Sequence, residues 1–267
     1  MFDVHLSLQF LRVGNYDPTS RLSPGCFEKA FWTPEGACTL RIFQNRIEAV
    51  GPGAEWCDSH CRLVFLDGPP PENMPHRVVR EAARDMAGLR MLAVPWISDV
   101  VAGLIFQQRV TWQEATRAYR QVVERWGEVA PCGTLRMPLA RQQWRSLTTA
   151  HLQSFGLDEK RATTLMRAAD LSSRLDGLYF KDLAQARQFL TKIPGIGPWT
   201  REMLMGFGLG DADAVPTGDV HLPYVVSEAL SGRAQGSDEL MVELLEPYRG
   251  HRFRVIRWIQ NSWRRRV

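Results

Sequence analysis

The chain has 267 residues, enough for one large domain or a large one plus a small one. With 45% hydrophobic and 23% charged residues it has an ordinary globular balance, able to bury a sizeable core, and no apolar run approaches a membrane span. A net charge of +4 is too small by itself to separate a nucleic-acid binder from any other soluble protein.

At the N-terminus Phe2, Val4, Leu6, Leu8 and Phe10 alternate with polar residues, the period of a half-buried strand. The same alternation breaks up any continuous apolar core, so a signal peptide is not expected. Two apolar runs, CFEKAFW and ACTLRIF, flank Thr33-Pro34-Glu35-Gly36 and read as a hairpin. RIEAV and RLVFL read as further short strands, with one or two helices beside the sheet. Cys26, Cys38, Cys57, Cys61 and Cys132 are odd in number and scattered, which argues against a disulfide framework and for a reducing compartment. Cys57, His60 and Cys61 lie close together, but no second ligand pair follows at metal-site spacing, so no metal is expected there. No cysteine clustering suggests an iron–sulfur site.

The proline-rich stretch at 68–75 is a composition break and reads as a linker between a sheet domain (1–72) and a helical region (73–267). Thr111-Trp112-Gln113-Glu114 fits a capping box, followed by Ala115, Tyr119, Val122 and Trp126 at helical spacing and by Gly127 as a stop. Further helices are expected from Leu157-Asp158 to about Arg174, from Leu183 to Leu190, from Asp219 to Leu230, from Asp238 to Leu245 and from Arg252 to Trp263. From His251 to the end there are six arginines and no acidic residue, a candidate phosphate contact or simply a solvated end.

The stretch from Phe189 to Leu230 carries the most chemistry. A helix ends near Lys192, Pro194-Gly195-Ile196-Gly197 makes a tight turn, and Pro198 suits the first position of the next helix. Such a hairpin, spanning 189–208, presents loop N–H groups and a helix N-terminus together, a ready anion site. Read alone, it could equally be a helix–helix turn with two convenient glycines. Twenty residues after Trp199 stands Asp219, within Pro216-Thr217-Gly218-Asp219. Asp219 could also serve simply as a helix N-cap.

Hairpin and aspartate together resemble the helix-hairpin-helix DNA glycosylases, and most of all the 3-methyladenine DNA glycosylase II (AlkA-type) enzymes. Leu104-Ile105-Phe106-Gln107-Gln108-Arg109-Val110-Thr111 resembles the family segment that carries the side chain entering the DNA stack. Gly156-Leu157 through Lys160 and Ala162 resembles another family step, and Gly25-Cys26-Phe27 with Thr33-Pro34-Glu35-Gly36 looks like its N-terminal sheet. The likeness is strong over residues 85–230 and weak before 70.

The resemblance implies an α+β fold: a small N-terminal antiparallel sheet, then an all-α bundle built on the hairpin. It implies base flipping, with Asp219 as the catalytic carboxylate and Arg109, or its neighbour Gln108, as the plug that fills the gap. Gly195, Gly197 and Thr200 would bind a phosphate of double-stranded DNA. Trp199, Met203 and Trp258 would line the base pocket, although any one aromatic could equally be core, as could Tyr224 and Phe207. Bifunctional relatives carry a lysine where this chain has Trp199, and Lys192 is seven residues too early to replace it. The implied activity is therefore excision of alkylated bases such as 3-methyladenine and 7-methylguanine, without strand cleavage, by a monomer in the bacterial cytoplasm. No organic cofactor is implied; a monovalent cation on the hairpin carbonyls of Ile193 and Ile196 is compatible. Two alternatives stay open: a glycosylase for an oxidised, deaminated or mismatched base, and a non-catalytic module that binds DNA through the hairpin alone.

Overall fold

The computed structural model describes residues 2–61, 65, 66 and 68–264. The chain opens with α1 (Val4–Leu8) and a 3-10 turn over Gln9–Leu11. Strands β1 (Ser20–Ser23), β2 (Cys26–Thr33), β3 (Gly36–Phe43) and β4 (Ile47–Val50) follow, and then α2 (Ala54–His60). The helical part comprises α3 (Arg77–Asp85), α4 (Ile97–Phe106), α5 (Trp112–Trp126), α6 (Arg141–Ser146), α7 (Thr149–Gln153) and α8 (Glu159–Asp170). It continues with α9 (Ser172–Asp176), α10 (Leu183–Thr191), α11 (Pro198–Gly208), α12 (Leu222–Ser231), α13 (Asp238–Leu245) and α14 (Arg252–Arg264). The architecture is α+β, as expected, and no helix among the described residues is long and apolar enough to cross a membrane.

The sheet is an antiparallel meander in the order β1-β2-β3-β4. The expected hairpin forms, with Thr33 opposite Gly36 closing a two-residue loop. Because successive side chains alternate faces, β2 serves two cores. Phe27 and Phe31 lie against Trp96, with ring centroids 6.5 and 5.1 Å apart, while Ala30 packs with Ala130, Leu135 and Met137 on the other face. Chain from beyond residue 72 thus covers both faces of the sheet. The main core is continuous from Phe2 through Trp96 and Phe106 to Leu204 and Ile259.

Three expectations need correction. The N-terminal segment is helical: Asp3 caps it, accepting the Leu6 amide at 2.8 Å, and Val4 and Leu8 are buried at helical spacing as well as alternating. Of RLVFL, Arg62 to Val64 lie outside the described residues, and Phe65 forms an isolated bridge with Leu92. The helix expected through Arg174 breaks at Leu171, between α8 and α9. The capping box is as expected, with Thr111 and Glu114 each satisfying the other's amide.

Two buried carboxylates anchor the start of α4. Lys29 of β2 reaches Asp99 at 3.2 Å and donates to Thr19 Oγ1 at 2.8 Å, joining the sheet to the helix. Asp176, at the end of α9, accepts the Ser98 amide and hydroxyl at 2.8 and 3.0 Å and so caps α4 from outside. Burial dominates and pushes the Asp176 carboxyl up to about 7, despite the hydrogen bonds from Ser98. A carboxyl raised on folding favours the fold below its unfolded value near 4, and that contribution is lost as pH rises towards 7. Asp176→Asn should therefore melt above wild type at pH 8, by the equivalent of about 1–3 kcal/mol. The gap should narrow as pH falls towards 4 in a series of thermal melts; a pH-independent gap would contradict the burial argument.

Candidate active site and nucleic-acid interface

The turn between α10 and α11 is held from inside. The Ile193 carbonyl accepts the Ile196 amide at 3.1 Å, and both isoleucine side chains are buried while Gly195 and Gly197 are exposed. The two glycines have different causes. Gly195 has φ +93°, and a Cβ there would lie 2.2 Å from Thr164 Oγ1 on α8, so the fold itself demands glycine. Gly197 has φ −78° and open space where a Cβ would stand. Nothing inside the protein requires glycine at 197; a molecule approaching the backbone from outside would. No side chain caps α11, and Pro198 occupies its first turn, so the positive end of the helix faces solvent.

Gln108 and Thr200, expected to contact DNA, are joined to each other. The Gln108 amide donates to Thr200 Oγ1 at 2.9 Å and to the Gly195 carbonyl at 3.1 Å. Thr200 is only 2% exposed, so its hydroxyl is not available to a phosphate. The pair is a strut between the end of α4 and the hairpin. Arg109, next in sequence, is exposed and has φ +56°, the positive-φ position among the described non-glycine residues. An arginine in left-handed backbone costs about 1–2 kcal/mol, and such strain concentrates at working sites. Arg161 stabilises this turn from below: buried on α8, it donates to the carbonyls of Phe106 and Gly156 at 3.2 and 2.8 Å and pairs with Asp158 at 2.7 Å. Sequence reading passed over Arg161, although its place three residues after the N-cap Asp158 is a signal for such a pair.

Asp219 lies in the loop before α12. Its Oδ1 accepts the amides of His221 and Leu222 at 2.8 and 2.9 Å, and its Oδ2 accepts the indole N–H of Trp199 at 2.7 Å. The helix expected from Asp219 begins at Leu222 with His221 as its N-cap, so Asp219 is not the N-cap; from two residues earlier it holds the first amides of α12 and meets the hairpin helix at once. Among the described residues it has no ion-pair partner. The preceding segment is clamped by charge. Arg252 binds Asp213 through Nε and Nη2 at 2.7 and 2.6 Å, and Arg187 bridges Glu202, at 2.9 Å, and Asp211. Burial opposes the ionisation of Asp213, but Arg252 and the Gly250 amide outweigh it and hold the carboxyl below its ordinary value. The Gly218 amide donates to Asp238 on α13 at 2.8 Å.

Trp199, Met203 and Phe207 recur at four-residue spacing on α11 and are all partly buried, forming one apolar stripe. Phe10 stacks on Phe207 with centroids 5.5 Å apart, and the Arg257 guanidinium lies 4.3 Å from the Phe10 ring and 4.9 Å from Phe207. Phe10 and Arg257 come from opposite ends of the chain, and no local pattern announces their meeting. Trp258, expected to line the pocket, is 2% exposed and packs in the core with Arg254 over its ring. Tyr224 is exposed, not core. In CDSHC, Cys57 faces Cys38 inside, with sulfurs 3.1 Å apart, while His60 turns out to stack on Trp56. These residues do not converge as ligands.

The hairpin also offers neutral carbonyl oxygens of the kind a monovalent cation takes. Those of Pro194 and Gly195 are engaged by Arg167 and Gln108, and that of Ile193 has one lone pair occupied by the Ile196 amide.

A small antiparallel sheet beside a helical bundle that contains a helical hairpin is a fold shared with solved DNA glycosylases. The solved 3-methyladenine DNA glycosylase from Archaeoglobus fulgidus superposes with TM-score 0.75 over 98% of this chain and 96% of its own, at 19% identity. The Clostridium acetobutylicum 8-oxoguanine glycosylase/lyase, in complex with DNA, gives 0.66 over 98% and 93% at 12% identity. In sequence, 100 residues, 38% of this chain, are 36% identical to a probable bifunctional transcriptional activator/DNA repair enzyme AlkA of Mycobacterium tuberculosis. The match spans 16% of that protein's length. No protein-family model matches the chain.

The two hairpin glycines can be told apart by stability. Gly195→Ala should destabilise by about 2–4 kcal/mol, combining left-handed backbone with the clash against Thr164. Gly197→Ala should cost less than about 1 kcal/mol. Urea unfolding of both variants checks this; equal losses would mean that the space around Gly197 is not open in solution.

Proposed function

We propose that this chain is a monofunctional DNA glycosylase that flips alkylated purines of the 3-methyladenine and 7-methylguanine type out of duplex DNA and hydrolyses the N-glycosidic bond. The observation that carries this reading is Asp219: a carboxylate without an ion-pair partner among the described residues, held by three N–H donors against the edge of Trp199. Departure of the base puts positive charge on the sugar, and a carboxylate fixed in advance stabilises that charge and can orient water.

The remaining residues supply binding. The open N-terminus of α11 and the backbone at Gly195 and Gly197 suit a phosphate. A monovalent cation on the Ile193 and Ile196 carbonyls would add positive charge beside it. Arg109, exposed and already in a strained turn, suits the plug that replaces the flipped base. N3- or N7-alkylation makes a purine cationic, and the electron-rich wall of Trp199, with Met203 beside it, favours such a base by about 0.5–2 kcal/mol. In this reading the product is an abasic site in base excision repair, made by a monomer in a bacterial cytoplasm.

A second reading, a glycosylase/lyase for oxidised bases, is favoured by the likeness to the Clostridium enzyme. Trp199 weighs against it. A lyase needs an amine at C1′, and the nearest lysine in sequence, Lys192, is exposed at the end of α10.

Free-base release from methylated duplex DNA, with a strand-cleavage gel run without alkali, tests the proposal. Wild type should release base and leave strands intact, and Asp219→Asn should release at least about 100-fold more slowly. Arg109→Ala should slow release about 10-fold or more, the weight of one flipping contact. Gly197→Ala should weaken duplex binding in fluorescence anisotropy. Release of 8-oxoguanine with spontaneous nicking would support the second reading; binding without release of any base would leave only a DNA-binding module.

A further inference from the structure

Trp199 presents two chemically different surfaces. Its edge carries the N–H that meets Asp219 Oδ2 at 2.7 Å, and its faces lie perpendicular to that direction, beside Met203 on the same helical stripe. Each carboxylate oxygen offers two lone pairs. Both on Oδ1 are taken by the amides of His221 and Leu222, and one on Oδ2 is taken by the indole. One acceptor position remains free on the carboxylate, and the Trp199 N–H decides where it points. The loop is built for this contact. Gly218 has φ +83°, and its Cβ position would lie 4.0 Å from the Trp199 Cβ, while Asp238 holds the Gly218 amide from the far side at 2.8 Å.

We infer that Trp199 is a positioning residue for Asp219, acting through its indole N–H, in addition to serving as a wall for the base. This rests on the reading of Asp219 as the catalytic carboxylate. Two consequences follow. The hydrogen bond holds the carboxylate in a single rotamer before the sugar arrives, so no reorientation is needed as charge develops. The negative charge on the edge also polarises the indole and enriches its π face in electrons, which strengthens its attraction for a cationic base. A base stacked on that face has its glycosidic bond near the edge where the carboxylate waits. Trp199 therefore couples recognition to catalysis through one ring. Phenylalanine would retain only the face, and lysine neither the face nor this orientation.

The test separates ring from N–H. Trp199 is replaced by 3-benzothienylalanine, whose sulfur leaves the bicyclic wall in place without a donor, and in parallel by Trp199→Phe. Single-turnover base release from methylated duplex DNA is measured against DNA concentration, with Asp219→Asn as control. The benzothienyl protein should lose about 10- to 100-fold in maximal rate, the weight of one charge-assisted hydrogen bond, with half-saturation within about threefold of wild type. An unchanged maximal rate, or a loss confined to half-saturation, overturns the positioning role and leaves Trp199 as wall only. A readout independent of activity guards against misfolding: the Trp199 indole N–H resonance should lie downfield in wild type and move upfield in Asp219→Asn. No movement overturns the inference. If Asp219→Asn releases base at the wild-type rate while the resonance still moves, the hydrogen bond stands, but the catalytic assignment of Asp219 has failed and the positioning role fails with it.

Discussion

The arrangement of this protein turns on holding one carboxylate, Asp219, rigid with no ion-pair partner among the described residues. A lysine or arginine beside Asp219 would cancel the field that, in the proposed reaction, a sugar cation would feel. The chain meets the requirement with neutral donors: two backbone amides at the start of α12 and one indole. Helix-start amides carry partial positive charge without a mobile cation, so they hold the carboxylate without pairing it to one. The loop must then have a fixed course, because a displacement of an ångström would break all three bonds.

That course is set by ion pairs placed upstream of Asp219 and away from it. Arg252 with Asp213, and Arg187 with Glu202 and Asp211, fasten the segment between α11 and α12 to α14 and α10. Pairs of this kind add little net stability, because desolvation offsets their attraction, but each has one good geometry. They give register to a segment with little regular structure. The same division appears at the other end of the site, where Arg161 satisfies the carbonyl at the end of α4 while Arg109 protrudes. In both places arginines fix the course of the backbone beside an exposed or partly exposed side chain.

Features that depend on local chemistry were legible in the sequence. The capping box at Thr111, the hairpin at Pro34-Glu35, and the turn from Pro194 to Gly197 each follow from residues a few positions apart, and the aspartate motif follows from its spacing to Trp199. Features decided by tertiary contact were not. The N-terminal segment satisfies a strand period and a helix period at once, and only its cap and its packing chose the helix. Thr200 looked like a phosphate ligand because it follows the hairpin, but its hydroxyl faces Gln108. Trp258 looked like a pocket wall, and Phe10 like part of a strand. Tertiary packing places Trp258 in the core and Phe10, in a 3-10 turn, against Phe207 and Arg257.

The hairpin shows how glycine content can mislead when read as a single signal. At position 195 the missing side chain makes room for Thr164, which lets the turn pack on α8 and brings its carbonyl to Gln108. At 197 the missing side chain relieves nothing within the protein. A glycine with an internal cause and one without therefore stand two residues apart in the same motif. The strut through Gln108 links them to the plug candidate. The amide that grips the Gly195 carbonyl belongs to the residue before Arg109, so the backbone that would meet a phosphate and the side chain that would enter the stack share one rigid support. A surface that, as proposed, binds a DNA backbone and opens the duplex at a fixed distance would need that kind of mechanical coupling. Two helix ends and a single glutamine provide it.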